Sequence, residues 1–164
     1  MISGTAKKNI VLLDPNMTCS KDWGKHIKDL VDSRAFVDFS QGLDITAMTP
    51  GKCDDLNALK YKRIHFAWDR PHEKNEAKFE MVMNLLKGAN RSKISAYVLT
   101  NAGSTHEQDV YRVETLKSLG IQPYVMVYRK NTAPKITRQL ARYANNPTVC
   151  WPVDSFDDYK KGGI

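Results

Sequence analysis

The chain has 164 residues, 41% of them hydrophobic and 26% charged, which suits one soluble domain with a sizeable core. No apolar run approaches the roughly 18–20 residues of a membrane helix, and residues 1–9 carry no long apolar stretch before a cleavage site. Cys19, Cys53 and Cys150 are odd in number and far apart, which excludes a disulfide framework and a local C-x-x-C metal site and predicts a reducing, cytoplasmic location. The net charge of +7 is spread along the chain. Lys135, Arg138 and Arg142 alone share a helix face at i, i+3, i+7, either as a solvated stripe or as a surface for a polyanion such as nucleic acid.

A strand–helix alternation runs through the sequence. A first strand at 9–13 ends in Asp14-Pro15-Asn16, and a helix follows with Trp23, Ile27, Leu30 and Val31 on one face. A second strand at 36–39 ends in Ser40-Gln41-Gly42. Thr49-Pro50 then reads as an N-cap with proline at the first helical position, ahead of a Cys53, Leu56, Leu59 stripe. A third strand at 63–68 ends in Asp69, and its helix buries Phe79, Val82, Met83 and Leu86 before Gly88.

The fourth strand, 94–100, leads into Asn101-Ala102-Gly103 and two overlapping capping boxes, Ser104-x-x-Glu107 and Thr105-x-x-Gln108. The helix that follows presents Val110, Val113, Leu116 and Leu119 and stops at Gly120. A fifth strand spans 123–128. A last helix begins near Pro134, buries Ile136, Leu140 and Tyr143, and ends at Asn145-Asn146. Residues 148–151 read as a short sixth strand, and 154–164 as a polar, fraying tail. The whole predicts an α/β domain with a parallel sheet of five or six βα units, either a doubly wound sheet or a partial (β/α) barrel.

In either architecture the carboxyl ends of the strands gather Asp14, Asn16, Ser40, Gln41, Asp44, Asp69, Asn101, Ser104, Thr105, His106 and Tyr128 on one rim. These are mostly amide, hydroxyl and carboxylate groups, suited to holding a polar ligand rather than to acid–base chemistry. Each also has a purely structural role open to it. Asp14 can turn the chain before Pro15, and Ser104 and Thr105 can cap a helix. His65 alternates with Ile64 and Phe66, so it can face a barrel interior. No G-x-G-x-x-G, Walker, G-x-S-x-G or H-E-x-x-H motif is present.

Taken in order, IVLLDPN, VDFSQGLDITAMTP, RIHFAWDRP, YVLTNAGSTHEQDVYRVETLKSLG and PYVMVY resemble strands two to six of the radical S-adenosylmethionine (radical SAM) enzyme core, a partial βα barrel, over roughly residues 9–145. The resemblance implies S-adenosylmethionine as ligand. It makes Asp14 a candidate for the methionine amino group, Gln41 and Asp69 for ribose and carboxylate, and Asn101 and Ser104 for adenine and ribose. The family's C-x-x-x-C-x-x-C motif, which holds a [4Fe–4S] cluster, has no counterpart here. By this resemblance the cluster belongs to a full-length relative, and the chain is inactive alone unless another chain supplies the missing segment. Losing the family's first strand would leave residues 9–13 as an edge, which predicts self-association or cover by a terminal segment. Two other readings stay open: a nucleotide- or phosphate-binding module, and a nucleic-acid-binding domain that uses the basic helix face.

Overall fold

A computed structural model of the protein describes residues 9–14 and 17–162. Five strands, β1 (Asn9–Leu12), β2 (Phe36–Asp44), β3 (Lys60–Ala67), β4 (Ile94–Thr100) and β5 (Gln122–Val127), form one parallel sheet in the order β1-β2-β3-β4-β5. Between them run α1 (Trp23–Ser33), α2 (Pro50–Asn57), α3 (Glu76–Leu85) and α4 (His106–Ser118). After β5 come α5 (Lys135–Ala144), α6 (Pro147–Cys150) and α7 (Phe156–Lys161).

The strand order decides between the two architectures. A doubly wound sheet reverses direction at a switch point, whereas here each strand is laid down beside the previous one. Right-handed crossovers that always step the same way place every connecting helix on the same face. The result is an open, singly wound sheet, consistent with a partial barrel, with one face covered and the other available.

Burial follows that geometry. Along β4, Ile94, Ala96, Val98 and Thr100 are buried, while Ser95, Tyr97 and Leu99 between them are only half-buried. Val37, Phe39, Ile64, Phe66 and Val125 complete the covered face and meet Leu56, Phe79, Val82, Val113 and Leu116 from the helices. Val31, expected on the buried side of α1, is exposed, because the face turned to the sheet is narrower: Trp23, Ile27 and Leu30.

Helix starts follow their caps. The Thr49 side chain accepts from the Lys52 amide, with Pro50 at the first position. Thr105 and Gln108 form a reciprocal capping box. The overlapping Ser104–Glu107 box does not form, since the chain enters the helix one residue later and leaves the Ser104 hydroxyl buried without a partner.

Three sequence expectations are corrected. Residues 148–151 are not a strand: Pro147 opens α6, and the Asn146 side chain accepts from the Thr148 amide. The region 154–164 does not simply fray. Ser155 caps α7, Phe156 and Tyr159 are buried against Tyr143, and the Phe156 amide donates to Glu114 Oε1 at 2.7 Å. Lys117 Nζ ties this segment down through the carbonyls of Val153 and Asp154. The segment therefore packs on α4 and α5, beside β5 and away from β1. Finally, β2 does not end at Phe39 but runs on to Asp44 through a bulge, because Phe39 pairs with Ile64 while Leu43 pairs with Phe66. Gly42 has φ +85°, and a Cβ there would lie 3.0 Å from the Tyr97 ring. Only glycine fits that crossing without strain.

Candidate functional site

Two cavities open on the side of the sheet that the helices leave bare. The smaller, about 280 Å³, sits at the carboxyl ends of β2 and β3 and is bordered by Gln41, Asp44, Thr46, Asp69, Arg70 and Glu73. The bulge is what turns Gln41 into it. Tyr97 Oη donates to the Ser40 carbonyl at 2.7 Å and the Ser40 hydroxyl donates to the Leu12 carbonyl at 3.0 Å, which fixes the loop on both sides. Asp44 Oδ1 accepts from the amide and hydroxyl of Thr46. Arg70 bridges to Glu73 at 2.8 Å.

Asp69 owes its place to a buried cation. Arg112 on α4 is fully buried and pairs with Asp109 at 2.6 Å. Its guanidinium also donates to the carbonyls of Trp68 at 2.7 Å, Leu99 at 2.8 Å and Asp69 at 3.4 Å. One side chain thus clamps the ends of β3 and β4. Partial burial pushes the Asp69 carboxyl above its ordinary range, opposed by Arg112 and reinforced by Asp44, although the residue as a whole stays exposed.

The five residues selected from the sequence therefore divide. Gln41 and Asp69 meet in the rim cavity. Asp14 lies exposed just beyond β1 and does not border that cavity, whereas Pro15 and Asn16 fall outside the described residues. Asn101, in a left-handed conformation, donates from Nδ2 to the Tyr128 carbonyl at 2.9 Å and so joins the ends of β4 and β5. Ser104 stands at the start of α4, bordering neither cavity. Asp44 and Arg70 join the pair that does meet. Arg70 carried no signal in the sequence beyond following Asp69 at a strand end.

The larger cavity, about 1040 Å³, crosses the bare face from β2 to β5 towards the amino ends of the strands, and Gln41 borders it as well. His65 stacks on Tyr97 with centroids 5.1 Å apart and shares a short hydrogen bond with the Ser95 hydroxyl. Burial pushes its imidazole below the ordinary value, partly offset by Asp38. Tyr124 meets Tyr97 edge-on at 5.8 Å. His65 was legible as an inward-facing residue. The amino-end wall of Arg91, Lys93 and Trp151 was not, because it comes from a turn and from a segment expected to be a strand.

Among the described residues no group of three or more His, Cys, Asp or Glu side chains is placed to hold a metal ion. Cys19 is exposed, while Cys53 and Cys150 are buried, with their thiols raised by burial, Cys150 to about 11. Such thiols are poor thiolate donors, so the residues present do not fit a [4Fe–4S] cluster. No helix among the described residues is long and apolar enough to cross a membrane. Comparison with protein-family models, curated proteins and solved structures finds no match.

Proposed function

We propose that this chain is a radical SAM-type half-barrel that binds S-adenosylmethionine at its carboxyl rim, and that its own residues supply binding and orientation rather than the reductive step. The observation that carries this reading is that Gln41 and Asp69, from the ends of two neighbouring strands, share one polar cavity with Asp44 and Arg70. That donor set matches the ligand's polar groups. A carboxylate suits an ammonium or a ribose diol, an amide suits ribose or carboxylate, and a guanidinium suits the carboxylate. At about 280 Å³ the cavity is at the small end of ligand sites, roughly 300–1,000 Å³. It accommodates one polar end of such a molecule, with the remainder lying over the bare face.

When bound beside a reduced cluster, S-adenosylmethionine supplies a carbon radical; the donor set for that cluster is lacking here, and no such step is assigned to this chain. Gln41 and Asp69 hold and orient the ligand, and Arg112 keeps Asp69 in place by fixing the carbonyls around it. Titration calorimetry with S-adenosylmethionine tests this. Sub-millimolar binding is expected, weakened about tenfold in Gln41→Ala and in Asp69→Ala, each corresponding to the loss of one hydrogen bond to a charged or polar group. Absence of heat at millimolar ligand, or binding untouched by both variants, overturns it.

A further inference from the structure

The large cavity on the bare face has a chemical character distinct from the rim. Its charged border consists of Arg63, Arg91 and Lys93, with no carboxylate among the residues that line it. These cations stand at the amino end, where Arg63 lies on β3 and Arg91 and Lys93 lead into β4. Opposite them, Trp151 is held across the start of β5 by a hydrogen bond from its indole Nε1 to Gln122 Oε1 at 2.6 Å. The Arg91 guanidinium lies over that indole, 4.7 Å from the ring centroid. Further along the floor, Tyr124 is 47% exposed, backed by Tyr97. Asp38 on β2 acts on His65 and Tyr97, but it does not line the cavity.

Cations gathered at one end, with exposed aromatic faces running away from them, match a ligand with an anionic group attached to a planar ring. Base–aromatic stacking together with cationic contacts to phosphate is how single-stranded nucleic acids and nucleotides are held without sequence readout. The cavity, at about 1040 Å³, is larger than one nucleotide needs. We infer that this groove binds a phosphorylated nucleobase, with phosphate against Arg63, Arg91 and Lys93 and the base stacked on Tyr124 or Trp151. The inference stands independently of the rim site, because S-adenosylmethionine carries no phosphate.

The test is fluorescence anisotropy of a labelled short single-stranded oligonucleotide at low salt, with adenosine monophosphate and inorganic phosphate as competitors. Trp151 provides a second signal, since Trp23 and Trp68 are buried and Trp151 is not. Binding is expected to quench it, and Trp151→Phe should lose that quenching while keeping a stacking face. Arg91→Ala with Lys93→Ala should weaken binding about tenfold or more and make the salt dependence shallower by about one log unit per log unit. Tyr124→Ala should weaken it about fivefold or more.

Lys135→Ala with Arg138→Ala, on the exposed face of α5, should leave binding unchanged, and matching thermal melts show that each variant folds. Competition by the mononucleotide identifies a free nucleotide as the source. Binding of the oligonucleotide alone identifies a nucleic-acid strand. Either result supports the groove. No binding of either ligand at low salt, or loss in the α5 variant with the groove variants unaffected, overturns it, whatever the calorimetry with S-adenosylmethionine shows.

Discussion

The two faces of the sheet are made from alternate residues of the same strands, yet they are chemically opposed. On one, Val37, Phe39, Ile64, Phe66, Ile94, Ala96, Val98 and Val125 are buried under helices. On the other, His65, Ser95, Tyr97, Gln122, Tyr124 and Met126 line an open cavity. Strands of a parallel sheet covered on both sides read as continuous apolar runs. The alternation within β4 and β5 is therefore a direct consequence of single winding. It teaches that stability and binding have been assigned to opposite sides of one scaffold, so substitutions on the two sides should behave differently.

The sharpest contrast comes from a pair of truncations. Phe66→Ala, on the covered face with no exposed surface, should cost about 3–5 kcal/mol in urea denaturation. Tyr124→Ala, on the open face, should stay within about 1 kcal/mol. Equal losses would mean that the second face is also a packed interior. A similarly large effect is expected where the covered side reaches the rim. Arg112→Ala leaves Asp109 and several backbone carbonyls without their donor, which should cost about 3–5 kcal/mol. Arg112→Lys should recover only part of that, since an ammonium cannot span the same carbonyls. Full recovery by lysine would show that charge alone, not the fork of donors, holds the strand ends.

Smaller effects probe the boundary between the faces. Gly42→Ala forces a left-handed residue against Tyr97 and should lower stability by about 1–2 kcal/mol. It should also disturb Gln41 beside it, so a variant with unchanged stability would show that the bulge accommodates a side chain. The least effect should come from His65. Its folded-state pKa lies below the ordinary 6.5, chiefly because burial disfavours the imidazolium. Between the two values the unfolded chain binds more protons, so stability is full above about pH 6.5 and falls as the pH drops through the folded-state value. His65→Gln should flatten that part of the pH profile. An equally steep fall in the variant would place the titrating group elsewhere.

Much of the fold is legible wherever a local rule acts alone. Thr49-Pro50, the Thr105–Gln108 box and the stop at Gly120 each mark a helix end through chemistry confined to a few neighbouring residues. Local reading fails where distant partners decide. Residues 148–151 contain the β-branched and aromatic types of a strand, but Asn146 and Pro147 start a helix and no neighbouring strand competes for them. Ser40-Gln41-Gly42 reads as the turn that ends a strand. It becomes a bulge because Tyr97, far along the chain, holds the Ser40 carbonyl.

The same division runs through the site. That polar groups would collect at strand ends follows from the order of strands and helices, and Gln41 and Asp69 do meet there. Asn101, equally polar and equally placed in sequence, is drawn instead to the Tyr128 carbonyl.

What the sequence determined by itself is the alternation of strands and helices, their caps and the apolar stripes that join them, because propensity, capping and periodicity act over a few residues. Only the tertiary structure decided that the sheet is singly wound with a bare face. It also brought Arg91 and Trp151 together across a groove and set one buried arginine to hold the ends of two strands. Each of those contacts joins residues well separated in the chain, and their positions depend on the packing of the whole sheet rather than on any local pattern.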